Sequence, residues 1–294
     1  MRRHPLLFAF VLLILMAMVF SAVIFSVSAL SGKGNSFLAS EKVGVVTVAG
    51  VITDARETVQ QLEELGQDDS VRAVVVRIET PGGGVAPSQE IYGAVRELRK
   101  KKKVVASIGA IGASGGYLIA CAADRIVANP GSITGSISAV MHLLNAEGLL
   151  SKIGLKPAVI KSGKYKDIGS PSREITPEER ALLQALIDDM NDHFIDTIGG
   201  DRKMSREKVK AIADGRIFSG RQAKQVGLID ELGDMNQAIA LAGAISGMKG
   251  KPEAVYVGKK KAFWDVVFKN SLSALVSEWK SQEARSAGAY YLYE

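Results

Sequence analysis

Three near-continuous apolar runs, two of them ending near a cluster of glycines, constrain this chain most. Lys42-Val-Gly-Val-Val-Thr-Val48, Val71-Arg-Ala-Val-Val-Val-Arg-Ile78 and Lys103-Val-Val-Ala-Ser107 lack the strict in/out alternation of a half-exposed strand. Such runs suit strands covered on both faces, as in parallel sheets. Between them, Ala55–Leu65 carries Val59, Leu62 and Leu65 at helical spacing, and a second helix is predicted from about Ser88 to Lys100. A further strand is predicted at Asp124–Ala128, closed by Asn129-Pro-Gly131. Strands alternating with helices predict an α/β fold on a parallel sheet. In such sheets ligands gather beyond the carboxyl ends of the strands. The glycines at 82–84 and those around Ser114 both fall at such ends.

The second half is more helical. Thr176-Pro-Glu-Glu179 has the form of a capping box, opening a helix predicted to about Ile198. Shorter helices are predicted at 206–213 and 234–244, with strand-like stretches at Pro157–Ile160 and Glu253–Val257. Residues 262–283 place Phe263, Val266, Val267, Leu275 and Trp279 in an amphipathic helical pattern suited to packing on the domain or on another subunit. The last eight residues carry no readable role. The divisions expected are a stub and anchor at 1–30, a linker at 31–41, one domain at 42–250 and a C-terminal part at 251–294.

The amino terminus reads as a targeting segment. Met1-Arg-Arg-His4 precedes Leu6–Ala29, which is apolar apart from three serines. A span of 24 residues crosses roughly 30 Å of hydrocarbon, longer than the apolar region of a cleavable signal peptide. A single-pass anchor is therefore expected, with the basic end in the cytoplasm and the domain outside.

With 47% hydrophobic and 23% charged residues, the chain is built to form a core. The net charge is +6, yet Arg99–Lys103 has no interleaved aromatics and reads as a solvated helix end, not a nucleic-acid surface. The one cysteine, Cys121, excludes an intramolecular disulfide and is read as a core residue. No metal or other cofactor is expected.

Gly112-Ala-Ser-Gly-Gly116 matches the G-x-S-x-G pattern, a serine on a strand-to-helix turn. Of the three histidines, His4 precedes the apolar span, His193 falls inside a long helix, and His142 is the third. No histidine follows His193, so a late-loop imidazole is lacking and the Ser-His-Asp reading is weak. A lysine is the known substitute base, provided that burial away from carboxylates favours its neutral form. Ile160–Ser170 offers Lys161, Lys164 and Lys166, which spacing does not rank.

Four ordered motifs carry a resemblance: Thr80-Pro-Gly-Gly-Gly84, Gly112-Ala-Ser-Gly-Gly-Tyr117, Ser132-Ile-Thr-Gly-Ser-Ile137 and Ser162-Gly-Lys-Tyr-Lys-Asp-Ile168. Together with Arg216–Ala223 they resemble the SppA-type signal peptide peptidases of single length, membrane-anchored Ser–Lys proteases related to the Clp protease and crotonase folds. The resemblance runs from about Val43 to Gly247 and implies repeated ββα units. It implies Ser114 as nucleophile, Lys166 as general base and Ser136 as the serine that orients the lysine. The backbone N–H groups of Gly83 and Gly115 would form the oxyanion hole. One position departs: Ser138 stands where the family usually has glycine. The implied substrates are cleaved signal peptides and other short apolar peptides. The implied assembly is a homo-oligomeric ring above the bacterial cytoplasmic membrane, with serine and lysine of one site supplied by neighbouring subunits. Two alternatives stand beside it: a related membrane-associated Ser–Lys protease with another substrate, and a non-catalytic ring scaffold.

Overall fold

The structure, a computed structural model, describes residues 14–16, 18–21, 41–257 and 290–292. The chain divides into two units, Met1–Ser40 and Glu41–Glu294. In the first, residues 14–16 and 18–21 are helical. Most of the span Leu6–Ala29, the linker, and the amphipathic stretch 262–283 lie outside the described residues. Among the described residues no helix is long and apolar enough to cross a membrane.

From Lys42 the second unit runs through strand β1 (Lys42–Ala49), helix α1 (Arg56–Gln67), strand β2 (Val71–Thr80) and the short strand β3 (Gly82–Gly84). Helix α2 (Val85–Lys101), strand β4 (Lys103–Ala113), helix α3 (Gly115–Cys121) and strands β5 (Arg125–Ala128) and β6 (Ile133–Gly135) follow. The second half adds α4 (Glu147–Lys152), α5 (Pro177–Arg202), α6 (Arg206–Lys210), β7 (Ile217–Ser219) and α7 (Gly220–Gln225). It ends with β8 (Glu231–Leu232), α8 (Met235–Ile245), β9 (Glu253–Tyr256) and β10 (Tyr290–Leu292).

The main sheet has the order β7–β6–β4–β2–β1–β9, with β5 and β8 branching from β4. All its pairings are parallel except β6 with β7. Two cores show why the apolar runs are continuous. Val46, Val48, Val74, Val76, Ile78, Val104, Ala106 and Ile108 point to one face, into a core shared with α1, α2, α3 and α5. The alternate residues Val43, Val45, Ala73, Val75, Val105 and Val127 point to the other face, onto Ala238, Ile239 and Ala242 of α8. With both faces covered, neither side of a strand can be polar. Gly44 has its own reason: a β-carbon there would lie 2.7 Å from the Leu65 side chain of α1.

Strand β4 changes partner part-way along one edge. Val105–Ile108 pair with β5, and Ile111–Ala113 pair with β6. The sequence placed its end at Ser107, but backbone pairing carries the strand through the small residues to Ala113. Small side chains weaken strand propensity without removing the ladder hydrogen bonds that decide the matter. Pro157–Ile160, predicted as strand-like, is neither helix nor strand and is solvent-exposed. Among the described residues no neighbouring strand offers it a ladder. The capping box opens α5 as expected, with Thr176 and Glu179 satisfying each other's backbone N–H.

Leu62 of α1 is 1% exposed and packs into the main core. Its replacement by Ala removes buried methyl groups from the core and should cost about 2–5 kcal/mol. Reversible thermal or urea unfolding of the variant against the parent chain measures it.

Candidate active site

The site is built where β2 and β4 end side by side: Thr80 pairs with Gly112 across that edge. From these ends the chain leaves through two glycine turns. On the β2 side, Thr80 is fully buried, and its hydroxyl accepts from the Gly82 N–H at 3.0 Å. Residue 83 then runs beside Ile52, with the Ile52 N–H donating to Gly82 O at 2.9 Å and the Gly84 N–H to Ile52 O at 2.8 Å. A β-carbon on residue 83 would sit 2.2 Å from the Ile52 carbonyl oxygen, so only glycine allows this approach. Residue pairs alternate along a strand edge. With Gly82 O and Gly84 N turned toward Ile52, the N–H and C=O of Gly83 face the opposite side.

On the β4 side, Ser114 occupies the turn into α3. Its φ is +53° with ψ −117°, a conformation costly for any residue with a side chain. The strain is held by a bond from its own N–H to Gly135 O at 2.8 Å, and by the Leu118 N–H donating to Ser114 O at 2.9 Å. The Ser114 hydroxyl is buried and has no hydrogen-bond partner among the described residues. An unpaired buried hydroxyl is expensive, and functional sites are where such costs collect. Gly116 packs against Thr80, where a β-carbon would be 2.6 Å from the threonine methyl. The two turns therefore touch, and Gly115 follows the serine directly.

Ser136 also has positive φ, +50°, and is 5% exposed; its N–H donates to Arg216 O at 2.9 Å. It follows Gly135, the residue that holds Ser114, so the two strained serines lie on neighbouring chain segments. Thr134 secures this edge by donating to Gly112 O at 2.7 Å. Below it, the buried Tyr117 hydroxyl of α3 donates to Leu228 O at 2.7 Å, which ties the serine helix to the α7–β8 connection. Cys121 is buried in the core as expected, and burial pushes its thiol up to about 12.

The lysines of 161–170 lie on a series of turns on the exposed surface of this protomer. Lys161 is paired with Asp167, and Lys164 with Glu178 at 2.5 Å. Lys166 makes no ion pair or hydrogen bond through its amine among the described residues, and it does not reach the Ser114 hydroxyl within one chain. Proximity within the protomer thus joins Ser114, Ser136, Gly83 and Gly115, but not Lys166. Among the described residues no imidazole bonds to Ser114 either, and the ring of His193, on α5, meets Gln89 of α2. Among the described residues no cluster of His, Cys, Asp or Glu is arranged as metal ligands would be.

Sequence reading missed what fixes the Lys166 turn. The Arg173 guanidinium donates from Nε to Asp167 Oδ2 at 2.9 Å and from Nη1 and Nη2 to Glu179 at 2.8 and 2.5 Å. It thereby clamps the residue next to Lys166 to the first turn of α5. The Arg173 hydrogen bonds hold the Glu179 carboxyl down at about 2, and those from Arg173 and Lys161 hold Asp167 well below the usual carboxylate range. An arginine six residues from each of two carboxylates was the available signal, but no local periodicity joins them.

Carboxylates with lowered pKa contribute their full stabilisation above their ordinary range near 4, and lose it as pH falls through the folded value. The Lys166 turn should therefore stay closed at neutral pH and open between about pH 4 and 2. Replacing Arg173 with Met should raise that opening toward the ordinary carboxylate range. Hydrogen exchange of peptides covering 161–175, followed against pH, reads both effects.

The model for peptidase family S49 matches residues 96–249, and that for Clp protease matches residues 36–132. A Synechocystis protein provisionally named as a protease is 46% identical over 209 residues, 71% of this chain and 76% of the relative. A Methanocaldococcus jannaschii protein, also provisionally named as a protease, is 36% identical over 84% of each chain. An Enterococcus faecium protein provisionally named signal peptide peptidase SppA is 34% identical over 68% of this chain and 62% of its own length.

Proposed function

The chain belongs to peptidase family S49 as a serine peptidase of the SppA type, and on that premise we propose that it cleaves peptides with a Ser114–Lys166 dyad. The observation that carries this reading is the Ser114 turn: a strained, buried, unpartnered hydroxyl between two glycine segments, with no imidazole bonded to it. Among the lysines in reach of the motif, Lys166 is the one free of a carboxylate among the described residues, which a base must be to give up its proton readily.

In the proposed reaction the Lys166 amine takes the Ser114 proton as the oxygen attacks a peptide carbonyl. The oxyanion that forms is held by the N–H groups of Gly83 and Gly115, each such donor typically contributing about 3 kcal/mol. The ammonium then protonates the leaving amine, and water releases the acyl group by the same route in reverse. Ser136, which follows Gly135, would orient the lysine.

Because Lys166 does not reach Ser114 inside one protomer, the dyad is completed by a neighbouring copy in a ring. Leu144, Leu149, Leu155, Val159 and Ile160 leave an apolar surface exposed on the same part of the chain, as a subunit contact would. The domain at 42–250, read as repeated ββα units, would stand outside the bacterial cytoplasmic membrane, anchored by Leu6–Ala29 with the N-terminus in the cytoplasm. Its substrates would be cleaved signal peptides and other short apolar peptides.

Ser114→Ala should abolish labelling by a serine-directed fluorophosphonate and lower peptide cleavage by at least about 10⁴-fold. Lys166→Ala should be similarly inactive while Lys164→Ala keeps most activity. Mixed subunits of Ser114→Ala and Lys166→Ala should regain part of the activity. An active Lys166→Ala enzyme would refute the dyad, and failed complementation would refute its sharing between copies.

A further inference from the structure

Strand β4 reaches Ser114 through an irregularity opposite one residue of β2. Ile78 pairs with Ile108 and Thr80 with Gly112, so Glu79 alone stands against Gly109, Ala110 and Ile111. Continuous pairing would have set Ala110 opposite Thr80; the bulge takes up two extra residues and brings Gly112 there instead. The other edge breaks at the same place, between Ile108 on β5 and Ile111 on β6. Ser114 comes three residues after Ile111, so the shape of the bulge sets where the serine turn begins.

Bulged residues lose their ladder partners, and here side chains replace them. The Glu79 carboxylate accepts from the Ala110 N–H at 2.8 Å. The Ser132 hydroxyl donates to Gly109 O and, at 3.3 Å, to Ile108 O. Glu79 is itself held by an ion pair with Arg77, whose Nη1 donates to the buried Ser107 hydroxyl at 3.1 Å. A β-carbon on residue 109 would overlap the Glu79 carboxylate and the Arg77 guanidinium, so glycine lets the carboxylate lie over the bulge. Ala110 is exposed, and water could meet its N–H in place of Glu79. What the carboxylate adds is direction: a charge-assisted bond from β2 to the segment that carries the serine.

We infer that Glu79 is a positioning residue for Ser114, fixing the β4 bulge through the Ala110 N–H while Arg77 keeps its carboxylate aimed there. The inference rests on the Ser114 reading given above and deepens it. With the bond in place, the serine turn keeps one height against the Thr80–Gly83 turn. Without it the bulge relaxes, and a shift of about 1 Å in a reacting group can cost about a hundred-fold in rate.

The test compares the full chain with Glu79→Ala, which removes the acceptor, and with Glu79→Gln, whose amide oxygen still accepts from Ala110. Three readouts are taken: fluorophosphonate labelling at Ser114 against reagent concentration, hydrogen exchange of peptides covering 106–114, and thermal unfolding. In Glu79→Ala the limiting labelling rate should fall by about ten- to a hundred-fold, with the half-saturating concentration little changed and exchange at 109–111 faster. Glu79→Gln should stay within about three-fold of the parent, since a neutral acceptor keeps roughly half the strength of a charged one. A purely structural role would instead lower the unfolding midpoint and leave the labelling rate of folded molecules unchanged. That outcome would overturn the inference, as would unchanged exchange at 109–111 or an equal loss in Glu79→Gln. Should Glu79→Ala fail to fold, Gly109→Ala displaces the carboxylate while keeping it in the chain, and the same loss of limiting rate is expected. A parent chain that does not label refutes Ser114 as nucleophile, and the positioning role with it. Labelling in the parent alongside full labelling in Glu79→Ala refutes only the positioning role.

Discussion

The parallel pairing of β2 with β4 is the contact on which the site depends. Its register sets Thr80 against Gly112, so that both strands finish at one level and their outgoing turns meet. This side of the candidate site is then backbone and small side chains: Gly83 against Ile52, Gly116 against Thr80, and Ser114 held by Gly135. The core beneath is rigid because both faces of these strands are filled, one by α1, α2, α3 and α5 and the other by α8. A strained serine persists only where its surroundings over-determine it. Here the ladder on one side and α3 on the other provide that determination.

The partner exchange along β4 explains how a single strand serves two purposes. Its first half, paired with β5, is part of the core; its second half, paired with β6, is the floor of the site. Placing the exchange between Ile108 and Ile111 brings Ser136 close to Ser114 without any contact between the two halves of the sequence that a periodicity would reveal. The clamp by Arg173 works at the same scale on the opposite side, fixing the Lys166 turn to α5 through two carboxylates.

Much of this was legible in the residues. The continuous valine runs announced a sheet covered on both faces, and the capping box at Thr176–Glu179 opened α5 where expected. The glycine clusters marked the strand ends where the candidate site lies. What escaped had physical reasons. Strand β4 was read too short because small residues carry little strand preference, although their N–H and C=O groups pair as well as any. Pro157–Ile160 looked like a strand by its β-branched residues but had no neighbour to pair with. The pairing of β10 was invisible since its partner is three glycines some two hundred positions away, and main-chain pairing leaves no mark in side-chain pattern. Spacing did not rank the three lysines, and the pairing of Lys161 with Asp167 and of Lys164 with Glu178 comes only with folding.

Cys121 carries one more consequence. Its sulfur is buried, burial disfavours its ionisation, and the sequence contains no second cysteine with which to pair. Neither the scaffold nor the proposed chemistry of hydroxyl and amine therefore depends on redox state. Such a molecule can work unchanged in an oxidising or a reducing compartment, with its one thiol buried away from oxidants and no intramolecular cross-link to be lost to reductants.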